Sequence, residues 1–586
     1  MLFTENNINK DVELGSVMSI IRHIAIRNFR GIQSLDWFPT EGVNCIIGPG
    51  DSGKSSILDA IDFCLGARRN ISFTDADFHN SNVDNPVEIY VTLGRLSDEL
   101  LSIERYGSFL RSYNLTTKEF YDEPQVGAET VITVRLVVDK GLDPDWGLYS
   151  NRAVQEGLEK RLPWSHRELI SPTRLGEGSS RHFTWGRNSL LNKLLEDRFD
   201  VSEVLTEVSR NARQAFAQQD VDGINNALAS VQGVANALGV NVGELQALLD
   251  VSSVSVSHGA VSLHDANATP IRQMGTGSTR LLLAGLQKLV STSKLLIIDE
   301  VEFGLEPFRI SRLLKEIGAK EQQPTQQVFI TTHSPYVLRE LKSSQLHILR
   351  KSSVAGIAQI NHCMYSMNDS DEHQSTLRVC AEAFLSNKVI VCEGKTEIGL
   401  LKGVDAVEQV QGQHSIQSLG VMHADGGGSH MFKRTKVFKQ LGYPVSIFKD
   451  SDINDQQQAS ITEARQLGIP MFEWGDNQAT EQAIFNNCHL NLIPRLINIA
   501  VERKTSDAVN AHITNASQNQ FNLPNCIQAP IDAHRQCLGL TAKNKEWYKD
   551  IEPMENVAET VLWPNKLSIQ PVFTQVLDNL LVWARQ

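Results

Sequence analysis

Val43-Asn44-Cys45-Ile46-Ile47-Gly48-Pro49-Gly50-Asp51-Ser52-Gly53-Lys54-Ser55-Ser56-Ile57-Leu58 is the stretch that decides the fold. An apolar run with strand character, broken only by Asn44, enters a glycine-rich turn. Helical spacing follows at Ile57, Leu58, Ile61 and Leu65. Gly48-x-x-x-x-Gly53-Lys54-Ser55 fits the P-loop pattern in the strand-to-helix context that pattern requires. Gly48, Gly50 and Gly53 let backbone N–H groups turn inward toward phosphate oxygens. The helix opening at Lys54, Ser55 and Ser56 adds the partial positive charge of its N-terminus. Lys54 is expected to reach the β- and γ-phosphates of ATP, and Ser55 to ligate Mg²⁺. A chance glycine-rich turn is the bland alternative, and the flanking elements argue against it.

Working outward, Leu295-Leu296-Ile297-Ile298-Asp299-Glu300 reads as a buried strand ending in two carboxylates. Downstream of a P-loop, Asp299 is expected to hold Mg²⁺ through water and Glu300 to orient or deprotonate the attacking water. Gly275-Thr276-Gly277-Ser278 opens a helical stretch about 20 residues before Asp299. Its place is similar to that of the signature loop of ABC-type ATPases, although its wording departs from Leu-Ser-Gly-Gly-Gln. Glu302-Phe303-Gly304-Leu305-Glu306-Pro307 resembles the Glu-Asn-Gly-Leu-His-Pro run of ABC-like ATPases, with Glu306 in place of His. Phe329-Ile330-Thr331-Thr332-His333-Ser334 ends a strand at a histidine that resembles the switch histidine sensing the γ-phosphate. A lone His is more often structural; its place in this order favours the switch.

The chain has 586 residues, and single cores stop growing near ~250–300, so at least two domains are expected. A net charge of −13 argues against a protein that coats DNA without sequence preference, which is usually basic. It does not exclude a nuclease, whose carboxylate cluster is itself acidic and whose metals supply local positive charge. The eight cysteines form no Cys-x-x-Cys pair, which speaks against a zinc ribbon and for reduced core thiols in a cytoplasmic protein. No apolar run approaches the ~18–20 residues needed to span a bilayer. Residues 1–18 read as an N-terminal extension.

A second α/β pattern starts at Val389-Ile390-Val391-Cys392-Glu393-Gly394-Lys395-Thr396-Glu397, an apolar strand ending at a Glu-Gly turn. Glu397, four residues after Glu393, is expected in the first turn of the next helix, facing the same space. About 55 residues later Val445-Ser446-Ile447-Phe448-Lys449-Asp450-Ser451-Asp452 gives another strand, ending in Asp-x-Asp. Carboxylates at the tips of adjacent parallel strands can converge on divalent metals, and oxygen-only ligands suit Mg²⁺ or Mn²⁺. Taken singly these pieces are bland, since Glu-x-x-x-Glu is usually a solvated helix face. Their joint order, placed at strand tips, raises the set above its parts.

That order resembles the TOPRIM motifs. His423-Ala424-Asp425-Gly426-Gly427-Gly428-Ser429 looks like the intermediate glycine motif. The whole chain resembles the OLD family (overcoming lysogenization defect), and Ile26-Arg27-Asn28-Phe29-Arg30-Gly31 is similar to the first strand of SMC, RecF and OLD ATPases. The resemblance implies a further glutamate, Glu481, from Trp474-x-x-x-x-x-Thr480-Glu481. It also implies a catalytic lysine from Lys543-Asn544-Lys545-Glu546-Trp547-Tyr548-Lys549, with Lys545 and Lys549 both open.

The expected architecture is therefore α/β: an ABC-type ATPase head with an inserted helical dimerisation domain, followed by a TOPRIM domain. The boundaries read as 19–187 and 251–365 for the head and 188–250 for the insertion, which is polar and free of proline. A polar stretch at 366–384 reads as a hinge, and 385–586 as TOPRIM with a C-terminal helical region. The expected function is that of an ATP-regulated, metal-dependent DNA endonuclease acting by a two-metal route. It would work as a homodimer or higher oligomer with no membrane partner. The family resemblance implies anti-phage defence, as in Gabija-like or retron-associated effectors, with a protein or RNA–DNA complex as defence partner. Two other readings compete: a nucleotide-switched scaffold that binds nucleic acid without cutting, and a TOPRIM topoisomerase or primase. The latter lacks a nucleophilic Tyr in a recognisable setting and a zinc module.

Overall fold

The computed structural model describes residues 19–67, 71–176, 183, 263–266, 268–290, 294–353, 360–452 and 454–586, with isolated positions between 207 and 232. The expected extension 1–18 and nearly all of the expected insertion 188–250 lie outside the described residues. No helix among the described residues is long and apolar enough to cross a membrane.

The N-terminal half is built on one mixed sheet. Its parallel part centres on Val43–Ile47, which pairs with Gln327–Thr331 on one side and Leu346–Ser353 on the other. Leu295–Ile298 lies outside Gln327–Thr331, and Thr173–Leu175 closes that edge, both parallel. These strands are short and almost wholly apolar because they are covered on both faces, the usual condition of a parallel sheet. The rest of the sheet is mostly antiparallel and grows from the hairpin of Ile20–Phe29 with Ile32–Trp37 through Val87–Gly94 and Glu129–Val138. The P-loop helix Lys54–Leu65 buries Ile57, Leu58, Ile61 and Leu65 against this sheet.

The C-terminal half carries a four-stranded, all-parallel sheet in the order Val421–Asp425, Lys388–Cys392, Val445–Lys449, Met471–Glu473. Residues 493–585 are largely helical, with short connecting segments. Their aromatic residues make the core: Trp547, Tyr548 and Trp563 are fully buried, and Phe573 of the last helix stacks on Trp474 with centroids 4.5 Å apart. The helix Lys395–Val410 meets the helix Ile551–Asn556 at Gly399 and Gly403. A Cβ there would stand 2.3 Å from Ile551 O and 2.4 Å from Glu555 O, so only glycine permits this approach.

The stretch 366–384, expected as a hinge, is packed structure. Ser370 caps the helix Asp371–Val379, which buries His373, Thr376 and Leu377, and Ala381–Leu385 buries Phe384. The polar residues that suggest a linker are cap and helix N-terminus instead. One apolar cluster joins Leu338, Leu346, Leu377 and Phe384 to Val389, Val391, Phe438 and Tyr443 of the second sheet. Arg350 stands 3.6 Å over the Tyr443 ring and donates to the carbonyls of Ser386 and Asn387, while Tyr443 Oη donates to Phe384 O at 2.6 Å.

Candidate active sites

In the first site the glycine turn brings its backbone against its own lysine. Lys54 Nζ donates to the carbonyls of Gly48 (3.1 Å) and Pro49 (2.9 Å). Gly53, at φ 98°, holds a left-handed turn, and a Cβ there would press on Ile32 at 3.0 Å. Burial pulls the Lys54 ammonium below its ordinary value, while Asp299, Asp51 and Glu300 work to hold it up. Ser55 Oγ donates to Asp299 Oδ1 at 3.3 Å, and Thr331 Oγ1 donates to the same oxygen. The P-loop, the acid strand and the switch strand therefore meet at one carboxylate.

Glu300 follows in a left-handed conformation, φ 47°, unusual for a residue with a side chain. Two bonds hold it there: its N–H donates to Thr331 Oγ1 at 2.8 Å, and its carbonyl accepts from Arg280 Nη1 at 2.6 Å. Glu302 accepts from Thr332 Oγ1 and from the His333 N–H, both at 2.7 Å, closing the turn that presents the exposed His333. The helix Thr276–Val290 begins inside the glycine motif, and Gly277 packs on the turn at Gly304 so closely that a Cβ would stand 2.6 Å from Gly304 O. Ser278 Oγ accepts from Arg309 Nη1 at 3.1 Å.

Two residues here escape sequence reasoning. Arg280 sits inside an ordinary amphipathic helix. Arg174 lies on a three-residue edge strand and is paired with Asp59 and Asp62 of the P-loop helix, 3.9 Å from Asp299. Neither carries a motif; only the fold brings them to the acid pair.

The second site forms along the C-terminal edge of the parallel sheet, where the register pairs Cys392 with both Asp425 and Phe448. Glu393 follows Cys392 directly and Asp450 stands just past the end of the strand Val445–Lys449, where its N–H donates to Glu393 Oε2 at 3.2 Å. Gly426 and Gly428 donate to the carbonyls of Cys392 (2.7 Å) and Glu393 (2.9 Å). A Cβ at Gly426 would stand 2.4 Å from Cys392 O, so the glycine loop clamps the backbone that carries Glu393. Glu397 accepts from the Gly394 N–H at 2.9 Å and from Thr480 Oγ1 at 2.7 Å. Trp474 Nε1 in turn donates to Thr480 Oγ1 at 2.8 Å, and the buried Glu481 follows Thr480 in the same helix.

These carboxylates do not share the usual acidity. Burial pushes Glu397 up to about 8, with Glu393 and Glu481 adding to the rise against the Thr480 hydroxyl. Burial also raises Asp450 well above the usual carboxylate range, reinforced by Glu393 and Asp452. Glu393 and Glu481 are raised by burial as well. Asp452 goes the other way: burial would raise it, but the hydrogen bond with Asp450 and the Lys543 ammonium bring it below its ordinary value.

Lys543 is the lysine that pairs directly with one of these carboxylates. Its Nζ donates to Asp452 Oδ2, whereas the expected Lys545 and Lys549 are exposed and Lys549 is held by Glu546 at 2.7 Å. The reason is helical phase: the helix Asp532–Asn544 ends just after Lys543, and the chain then turns, with Glu546 at φ 52°, to bury Trp547 and Tyr548 instead.

A divalent ion fits the chemistry of this donor set. Asp450 Oδ1 is buried without a hydrogen-bond partner, an atom that needs a proton or a cation. Among the described residues no three acid, His or Cys side chains already stand at ligand spacing around one point. Asp452 is taken up by Lys543 and Glu397 by Thr480 and Gly394, so these two would have to give up those partners to ligate a metal.

The two sites define a chain that joins a P-loop ATPase domain to a TOPRIM domain. A family model described as AAA domain, putative AbiEii toxin, Type IV TA system, matches residues 43–339, half of the chain. A second, described as overcoming lysogenization defect protein-like, TOPRIM domain, matches residues 384–452. The OLD nuclease of Thermus scotoductus is 21% identical over 370 residues, 57% of this chain and 62% of that protein. The DNA replication and repair protein RecF of Prosthecochloris aestuarii is 51% identical over 41 residues, 7% of this chain and 11% of that protein. The chain thus spans only a small part of the RecF relatives and less than two thirds of the OLD nuclease. Among solved structures, the Smc head domain with an extended coiled coil bound to the C-terminal domain of ScpA, derived from Pyrococcus furiosus, aligns at 14% identity and TM-score 0.34. That alignment covers 60% of this chain and 97% of that one. The chain belongs to the matched AAA domain family, and it joins that ATPase domain to an OLD-like TOPRIM domain.

Proposed function

We propose that this chain is an ATP-regulated, divalent-metal-dependent DNA endonuclease. The observation that carries the reading is the meeting of Glu393 and Asp450 on adjacent parallel strand tips, with the buried Asp450 Oδ1 unpartnered. So many carboxylates in one pocket repel one another without a cation. Glu393 and Asp450 would hold one Mg²⁺ or Mn²⁺, and Glu397, Asp452 and Glu481 are the candidates for a second. When bound, such ions supply an activated water and stabilise the leaving oxygen. Lys543 would turn from Asp452 to the scissile phosphate and offset the charge that develops there.

In the ATPase half, Gly48, Gly50, Gly53, Lys54, Ser55 and Ser56 would cradle ATP, Asp299 would orient its Mg²⁺, and Glu300 would position the attacking water. Gly275, Gly277 and Ser278 would complete the site of a second copy, and His333 would read the γ-phosphate. One P-loop and one such loop per chain make a homodimer or higher oligomer necessary. The OLD resemblance, and a matching model described as a putative toxin of a toxin–antitoxin system, support a role in anti-phage defence in the cytoplasm, with a protein or RNA–DNA partner as trigger.

The test is a scission assay on supercoiled and linear DNA with Mg²⁺ or Mn²⁺, with and without ATP and with chelator. Metal-dependent cutting that is lost in Glu393→Ala is expected. A wild-type protein that cuts nothing under any metal, with its natural partner supplied, would overturn the reading in favour of a nucleotide-switched scaffold.

A further inference from the structure

The carboxylate pocket poses an electrostatic problem that its own residues do not solve. A chain of net charge −13 with an acidic pocket gains no attraction for a polyanion from its overall charge. The residues around the pocket mouth are different in sign. Lys395 opens the helix that follows Glu393 and pairs with Asp550 at 3.4 Å. On the other side Lys543 holds Asp452. Between them lie Lys545 and Lys549, in and after the turn that buries Trp547 and Tyr548, and Lys549 is close enough to act on Glu481.

The strip continues away from the pocket. Arg503 and Lys504 end the helix Ile493–Lys504, are exposed, and face the same segment. Arg503 pairs with Glu552 at 3.5 Å, and Lys504 lies within electrostatic reach of Glu546. Trp547 Nε1 donates to His512 at 3.3 Å, fixing the turn against the neighbouring helix Ser506–Ala516, and both Lys504 and Lys545 act on His512. Six cations therefore run in one band, with Glu546, Asp550 and Glu552 interleaved as partners. The glycines Gly399 and Gly403 lock the helix Ile551–Asn556, and with it Asp550, onto the helix bearing Lys395, so the band is built into the core packing.

We infer that the band Lys395, Arg503, Lys504, Lys543, Lys545 and Lys549 is the surface on which the sugar–phosphate backbone of duplex DNA is seated as it enters the carboxylate pocket. The inference rests on the nuclease reading and adds where the substrate lies. The exposed ion pairs cost little to break, since such pairs contribute at most about 1 kcal/mol each. Phosphates replace Glu546, Asp550 and Glu552 as partners, and release of their counterions makes the contact salt-dependent.

The test is fluorescence anisotropy of a labelled DNA duplex of about 30 base pairs on the full chain, in Ca²⁺ and in EDTA, across a salt series. The Arg503→Ala/Lys504→Ala variant is expected to bind about tenfold more weakly, with the slope of log affinity against log salt flatter by about two. Lys436→Ala, on a different helix and paired with Glu463, is expected to change neither. Arg503→Lys/Lys504→Arg is expected to restore both, and ATP binding serves as the check that each variant is folded. Unchanged affinity and slope in the double alanine variant would overturn the inference, as would an equal loss in Lys436→Ala or a preference for duplex RNA over DNA. Scission by Glu393→Ala, measured separately, decides the nuclease reading: its loss together with unaltered binding by the double variant would leave the nuclease standing and remove only the band.

Discussion

Lys543 donates its ammonium to Asp452 across 91 residues of sequence, while Lys549 spends its charge on Glu546 at the surface. The ammonium thus sits where a second cation would approach Asp452. Lys543→Ala is expected to slow scission by about 100-fold, the loss typical of one charge-stabilising donor. Calorimetric titration with Mn²⁺ is expected to show affinity equal to or tighter than wild type, because a competitor for Asp452 has gone. Lys545→Ala and Lys549→Ala should each stay within about tenfold of the wild-type rate. A larger loss in either would return the catalytic role to the exposed pair.

At the ATP site, Lys54→Ala removes the main counter-charge to the phosphates and is expected to abolish binding of a fluorescent ATP analogue. Glu300→Gln keeps binding and blocks turnover. Arg280→Met should resemble a mild Glu300→Gln. It frees the Glu300 carbonyl from its 2.6 Å partner and lets the left-handed backbone relax. Its kcat should fall with KM nearly unchanged, and a fall in both would mean that Arg280 touches nucleotide directly.

Most of the parallel framework is legible in the sequence, because a strand covered on both faces is a short apolar run ending at a turn: Val43–Ile47, Leu295–Ile298, Gln327–Thr331, Lys388–Cys392. The same logic fails at Leu346–Ser353 and Ile360–Ser366. Both are central in the sheet, yet Lys351 and Ser352, or Asn361 and His362, interrupt their apolar pattern. The site acids are legible where a strand tip announces them, as at Glu393 and Asp450. Lys543 is not, because only the phase at a helix C-terminus decides which of three lysines turns inward. Arg174 and Arg280 stay hidden because their function lies in what the fold sets beside them.

The packed layer at 371–385 ties the two halves into one core, so they should not melt apart. Phe384 is fully buried between the Phe438 and Tyr443 rings, at centroid distances of 4.7 and 6.2 Å. Phe384→Ala is expected to cost about 3–5 kcal/mol. In calorimetry it should lower the melting of both halves together, with ATP binding and metal binding lost in the same transition. Two separated transitions, one unmoved, would show that the halves unfold independently.

The Glu397 carboxyl, raised by burial to about 8 from an ordinary 4.5, makes the metal-free protein sensitive to pH in a defined direction. Below about 4.5 the group is protonated in both folded and unfolded chains. Between that value and about 8 the folded chain holds a proton that the unfolded chain has released, so the Glu397 contribution to stability falls as pH rises through this window and is level above it. A divalent ion needs the carboxylate and reverses the sign, since binding expels the proton and affinity should climb with pH up to about 8. Glu397→Gln cannot ionise. It should flatten the fall in metal-free melting temperature between pH 5 and 8 and weaken Mn²⁺ binding at pH 8, while Thr480 keeps an acceptor in the amide oxygen. Paired melts and Mn²⁺ titrations at pH 6 and 8 check both halves of the argument. A wild-type protein whose metal-free stability rises over that interval would show that Glu397 holds no such proton in the folded chain.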